Sequence, residues 1–289
     1  MPDPVEKGVL YVVATPIGNL EDITLRALRV LREADLIACE DTRHTRKLLD
    51  HYSIARPVLS YHEHNEQERA RELVEKLEQG LSVAQVSDAG MPSIADPGYR
   101  VIKLAIERGI PVRPVPGPSA IITALAGSGL PTDSFEFLGF LPARSGQRRT
   151  FLERLRSAAA TVVLYEAPHR IRETLAEIVE VLGPERPVVI ARELTKVHEE
   201  FLRGTAGELR QRIGDRELKG EITLLIGRSE GSSGLSHGAP AADLNQRLQQ
   251  IMREQDLDEK AALKALAREL GQSRSEVYRE LLRVRGRRK

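Results

Sequence analysis

Val83-Ala84-Gln85-Val86-Ser87-Asp88-Ala89-Gly90-Met91-Pro92-Ser93-Ile94-Ala95-Asp96-Pro97-Gly98 decides the fold. An apolar strand over 83–86 runs into a loop over 88–98, and a helical pattern over 99–107 follows. Connections of this kind usually need only about 2–6 residues, so an eleven-residue loop is long for a simple link. Its two Gly and two Pro make stiff corners with little side-chain cover, which leaves backbone amides and carbonyls open to a ligand. Strand, loop and helix form the unit of an open α/β sheet, and such sheets bind ligands at the C-terminal ends of their strands.

The same alternation extends in both directions. Residues 10–14 read as a strand that enters a second Pro/Gly turn, Thr15-Pro16-Ile17-Gly18-Asn19-Leu20. Asp22 is placed to cap a helix carrying Ile23, Ala27, Leu31 and Ala34 on one face. A strand over 36–39, a helix over 67–77 and a strand over 112–115 complete a first α/β domain, expected to span residues 1–117. Pro116-Gly117-Pro118-Ser119-Ala120 then opens a helix to about residue 126, and its free N–H groups suit an anion or ligand. Strand patterns over 135–141, 161–165, 188–191, 201–203 and 222–226, with helices over 171–182 and 205–213, predict a second α/β domain over 118–230. Thr205 and Glu208 have capping-box spacing.

Residues 231–242 read as a Gly/Ser-rich linker. Helical patterns over 244–253, 259–270 and 274–284 follow, with Gly271 as a stop and Ser273 to Glu276 as a capping box. The expectation for 243–289 is a small three-helix domain with helix-turn-helix spacing. It is also basic: residues 240–289 hold 12 Lys plus Arg against 8 Asp plus Glu, in a chain whose net charge is only +1. A basic tail on a near-neutral body suits a polyanionic partner.

Of the 289 residues, 41% are hydrophobic and 29% charged, enough apolar content for real cores. No apolar run approaches the roughly 20 residues that span a bilayer, and residues 1–7 lack a signal-peptide core. A cytoplasmic protein that does not engage membranes is expected. The single cysteine, Cys39, lies in an apolar run and is read as core. There is no G-x-G-x-x-G after the first strand, no P-loop, no H-E-x-x-H and no Cys/His cluster, so these signatures support neither dinucleotide, nucleoside triphosphate nor zinc chemistry. His62 and His64 beside Glu63 and Glu66 read as a polar surface stretch, and no metal is expected.

What remains is a set of ligand-ready strand ends: 15–20, 88–98, 116–120 and Tyr165-Glu166-Ala167-Pro168-His169-Arg170. Together they would line a cleft between two domains, suited to a polar cofactor. With Glu40-Asp41-Thr42-Arg43, Gly139-Phe140-Leu141-Pro142 and Glu193-Leu194-Thr195-Lys196, these segments occur in an order that closely resembles the small-subunit ribosomal RNA methyltransferase I group of the tetrapyrrole methylases. The resemblance runs from about Gly8 to Gly227.

That resemblance implies two α/β domains with S-adenosylmethionine in the cleft between them. It implies 2′-O-methylation of a cytidine ribose in the decoding region of small-subunit rRNA, free or in the assembled subunit, by a homodimer. It assigns cofactor binding to Pro16, Asp88, Ala89, Gly90, Met91, Ile94, Ala95, Asp96, Pro116, Gly117, Ser119, Ala120, Ala167 and Thr223. Met91 and Ala95 stand where the family pattern has Thr and Ser.

For the proton acceptor, the carboxylates Glu166 and Glu193 lead and His169 is third. Lys196 acts as a base only with a depressed pKa, and holding a phosphate or the developing alkoxide suits it better. Arg43, Arg144, Arg148, Arg149 and Arg170 are expected on the RNA side. Two alternatives stay open: a small-molecule methylase of the same fold, and a helix-turn-helix DNA-binding regulator with an α/β sensor.

Overall fold

The computed structural model describes residues 4–94, 98–229, 248–253, 257–269, 277–278 and 281. Two five-stranded sheets dominate. In the first, β1 (Leu10–Val13), β2 (Leu36–Cys39), β3 (Val58–Ser60), β4 (Val83–Val86) and β5 (Val112–Val115) lie in the order β3-β2-β4-β1-β5, all parallel. The strands are almost continuously apolar because helices cover both faces.

The pleat sorts the side chains. Tyr11, Val13, Ile37 and Val86 pack with Leu28 and Leu31 of α1 (Leu25–Glu33) and Leu48 and Leu49 of α2 (Thr42–His51). Leu10, Ala38 and Val83 turn the other way, onto Leu73 and Leu77 of α3 (Glu66–Glu78) and Val101 and Ala105 of α4 (Tyr99–Glu107). The connection leaving β1 crosses to the face of α1 and the one leaving neighbouring β4 to the face of α4, which opens a crevice beyond their C-terminal ends.

Asp22 does not cap α1. The Thr24 side chain accepts from Ala27 N instead, and Asp22 closes a short 3-10 turn, Leu20–Asp22. The sequence pattern misses α2 and β3, since Leu48 and Leu49 are the only large apolar residues of α2 and β3 is a half-buried edge strand of three residues. Cys39 is buried, and burial pushes its thiol pKa up.

The second sheet holds β6 (Phe135–Phe140), β7 (Thr161–Glu166), β8 (Pro187–Arg192), β9 (Glu200–Thr205) and β10 (Ile222–Ile226), ordered β6-β7-β10-β8-β9. Only β6 and β7 run parallel. On one face α5 (Ala120–Ser128) sets Ile121, Ala124 and Leu125 on Val163, Val189 and Leu225, and Ile17 from the loop after β1 joins this cluster. The two halves therefore share apolar contact near the crevice.

On the other face lie α6 (Ser145–Arg154), α7 (Ile171–Leu182) and α8 (Ala206–Ile213). The capping box forms as expected: Glu208 N donates to Thr205 Oγ1 at 3.2 Å, and Thr205 N to Glu208 Oε2 at 2.8 Å.

Arg148 departs from its expected place on the RNA side. It is 1% exposed, and its guanidinium grips Glu177 at 2.6 and 3.0 Å, tying α6 to α7. A charge so enclosed joins two helices and is not available to RNA. In the tail, Leu248, Ile251, Leu263, Leu266, Val277 and Leu281 form a separate small core around the helix Glu259–Glu269. The linker 231–242, Gly271 and the 273–276 capping box lie outside the described residues.

Candidate active site

The crevice is built by loops that lock one another. After β1 and β4, Thr15 and Gly90 exchange backbone hydrogen bonds of 2.9 and 3.0 Å, and Thr15 Oγ1 donates to the Ser87 carbonyl at 3.0 Å. The second sheet supplies the facing wall through its register. Tyr165, Thr223 and Ala191 are paired across β7, β10 and β8, so their side chains share one row, and the small Ala191 and Thr223 leave space above the sheet.

A cavity of about 220 Å³ results. Ala89, Gly90, Met91, Ile94, Ser119, Ala120 and Thr223, all expected there, line it. Ile17 and Tyr165 come from the ligand-ready segments 15–20 and 165–170, while Ile121, Phe140, Ala191, Leu194, Glu221 and Ile222, not named as site residues from the sequence, complete the wall. The strand register was the signal for Ala191; nothing local marks Glu221.

Pro16, Asp88, Pro116, Gly117 and Ala167 are not among the residues that line it. The Asp88 carboxylate accepts from Asp41 N at 3.1 Å, fixing the entry to α2. Ala95 and Asp96 lie outside the described residues.

The candidate bases separate sharply. Glu166 is 2% exposed and accepts hydrogen bonds of 2.7 Å from Ala167 N, Arg170 Nη2 and Thr174 Oγ1. A carboxylate so buried and held by three donors organises the turn into α7, and it does not line the cavity where a substrate proton would be taken. Arg170, expected on the RNA side, is its partner. His169 does not reach the cavity either; it lines an outer groove between α7 and α8 with Arg172, Arg210 and Asp215.

Glu193 and Lys196 do lie beside the cavity, in a compact cluster with Glu221. Lys196 Nζ is 2.8 Å from Glu193 Oε1 and 3.0 Å from Glu221 Oε2, and Glu221 N donates to Glu193 Oε1 at 3.0 Å. Room for it is made by glycine. A Cβ at Gly18 would lie 2.5 Å from Lys196 Cγ, and one at Gly220 would collide with the Glu193 carboxylate. Glu193 and Thr195 adopt left-handed backbone (φ 52° and 66°), which costs a non-glycine residue on the order of 1–3 kcal/mol.

The hydrogen bonds from Lys196 and from Glu221 N hold the Glu193 pKa below its ordinary value. Partial burial works to lower that of Lys196, but its two carboxylate partners outweigh this and leave it raised. Lys196 therefore stays a cation: the depressed pKa that its use as a base requires is absent, and Glu193 is made a poorer base. Of the other expected RNA-side arginines, Arg43 is exposed and clamps Asp41, Arg149 is exposed and pairs with Glu180, and Arg144 is exposed before α6. Among the described residues no group of three or more metal-ligand side chains occurs, and no helix is long and apolar enough to cross a membrane.

Residues 9–210 match the tetrapyrrole (corrin/porphyrin) methylase family. A relative called ribosomal RNA small subunit methyltransferase I from Halalkalibacterium halodurans is 53% identical over 76% of each chain. Its namesake from Escherichia coli O157:H7 is 45% identical over 97% of this chain and 96% of its own. In fold, the chain is similar to a Thermus thermophilus uroporphyrin-III-C-methyltransferase (TM-score 0.54, 22% identity, covering 76% and 94% of the two chains). A diphthine synthase gives a TM-score of 0.59 at 17% identity, covering 76% and 90%.

Two α/β sheets meeting at one cleft thus define the class, a methylase. The chain belongs to the tetrapyrrole methylase family, in its small-subunit ribosomal RNA methyltransferase I branch. This membership sets aside a DNA-binding regulator.

Proposed function

We propose that this enzyme transfers the methyl group of S-adenosylmethionine to the ribose 2′-hydroxyl of a cytidine in the decoding region of small-subunit rRNA, in the cytoplasm. The observation that carries this is the cavity at the strand ends of both sheets, together with the relatives of 45–53% identity. Its lining suits a sulfonium cofactor. Apolar side chains and backbone dominate, Glu221 is its one carboxylate, and no Lys, Arg or His among the described residues lines it.

Ala89, Gly90, Met91, Ile94, Ser119, Ala120 and Thr223 would hold the cofactor, with Pro16, Asp88, Pro116, Gly117, Ala167, Ala95 and Asp96 supporting or extending that wall. The bound cofactor supplies an already activated methyl group, so this chain's task is mainly alignment, proton removal and exclusion of water. Phe140 is 61% exposed at the cavity, with its ring 5.3 Å from that of Tyr165. Such a face suits stacking of an unstacked nucleobase, the usual mode of single-strand RNA recognition. Arg43, Arg144 and Arg149 are the exposed candidates for phosphate contacts.

The domain division at 117/118, with linker 231–242 and a basic helical tail over 243–289, belongs to the same reading. So does a homodimer, for which the exposed Phe135 and Leu138 on edge strand β6 offer an uncovered apolar edge. Calorimetry with S-adenosylmethionine, then tritiated methyl transfer to assembled small subunits, free rRNA and total tRNA, tests the proposal. Absence of cofactor binding overturns it, and transfer only to tRNA overturns the substrate.

A further inference from the structure

The cluster beside the cavity contains one carboxylate that no sequence motif points to. Glu221 lies at the entry to β10, lines the cavity, and keeps its side chain 76% exposed while one oxygen accepts from Lys196. It is the only carboxylate in the lining among the described residues. The other candidates are engaged elsewhere: Glu166 is enclosed by three donors, His169 faces the outer groove, and Glu193 takes both Lys196 and the Glu221 amide.

We propose that Glu221 is the catalytic proton acceptor, with Lys196 as a fixed cation beside it that steadies the developing negative charge on the attacking oxygen. This rests on the hydroxyl-methylation reading above. As the hydroxyl proton passes to the free Glu221 oxygen, the ribose oxygen bonds to the methyl carbon. The carbon–sulfur bond breaks, its electron pair stays on sulfur, and a neutral thioether leaves. Solvent then takes the proton from the exposed carboxyl.

The position is built to hold this pair. Glu193 anchors both members, accepting from Lys196 and from the Glu221 amide. The left-handed backbone at Glu193 and Thr195 and the close approach at Gly18 and Gly220 keep that anchor in place. Strain of this kind clusters at functional sites, where surrounding structure imposes it. The charged and titratable groups around Glu221 are Lys196 and Glu193 after β8, Arg192 on β8 with Glu200 on β9, nearby Lys219, and Tyr165 across the cavity.

The test compares Glu221→Gln and Glu221→Asp with wild type in cofactor calorimetry, single-turnover methyl transfer and a kcat–pH profile. Glu221→Gln is expected to keep cofactor affinity within about threefold yet lose about a hundredfold or more in rate, as removal of a general base does. It should also lose the acid limb of the profile, and Glu221→Asp should recover part of the rate and the limb. A Glu221→Gln rate within about threefold of wild type overturns the proposal. So does a slow variant that keeps the acid limb, or a loss of cofactor affinity that accounts for the loss of rate. Nucleoside analysis of the wild-type product tests ribose methylation separately, so failure of that reading and failure of the Glu221 role give different results.

Discussion

Thr15 and Gly90 exchange two backbone hydrogen bonds, joining the loops that follow β1 and β4 into one wall of the cavity. Gly90 accepts this geometry at φ 80°, where a Cβ costs about 1–2 kcal/mol. Gly90→Ala should therefore loosen the wall, raising the S-adenosylmethionine dissociation constant about tenfold with only a few degrees lost in Tm. Calorimetry and thermal melts check it, and an unchanged affinity would remove Gly90 from the cofactor wall.

Arg148 and Arg149 are neighbours with opposite fates. Breaking a buried ion pair on one side leaves an uncompensated charge, so Arg148→Ala should cost about 3–5 kcal/mol of stability. Arg149→Ala should leave Tm nearly unchanged and lower the salt slope of RNA binding by about 1. Denaturant titration and binding at several salt concentrations separate the two.

Stacking at Phe140 predicts a split in kinetics. Phe140→Ala should raise KM for the RNA by roughly 5- to 100-fold, the equivalent of about 1–3 kcal/mol of base stacking, while Phe140→Tyr stays close to wild type. Cofactor affinity should hold in both. Sedimentation of the variants beside wild type reads the competing role, because a changed oligomeric state would assign Phe140 to a subunit interface.

Acid stability should depend in part on Asp35. Its hydrogen bond from Lys7, with those from Ser82, holds its pKa at about 2, against the opposing effect of burial. A folded-state pKa below the unfolded value of about 3.9 contributes stability above that value, and the contribution fades as pH falls toward 2. Asp35→Asn should lower Tm at pH 6 and flatten the decline between about pH 4 and 2. An unaltered slope in melts across that range would contradict it.

Much of the fold is legible without the structure. Helix α7 and strand β10 carry the bounds that their apolar periodicity predicts, and the Thr205/Glu208 box forms where its spacing places it. Local pattern failed where it was weak: α2 has a narrow apolar face, and Asp22 yields the α1 cap to Thr24, two residues on. The loop walls at 89–94 and 119–120 were expected, because Gly and Pro at strand ends mark them and the family resemblance assigns them to the cofactor. Ala191 was not, because it meets Thr223 and Tyr165 only across a paired sheet.

The sequence by itself determined two α/β halves, ligand-ready loops at strand ends, and membership in a methylase family. Periodicity and turn chemistry are properties of residues close in the chain, and they survive without tertiary context. Only the tertiary structure decided which charges face the chemistry. Pairing of β8 with β10 brings Glu221 to Glu193, while packing of α6 on α7 encloses Arg148. A charged side chain looks the same in sequence whether it is buried in an ion pair or open to a cavity; its burial and its partners, which set its chemistry, come from elements far along the chain.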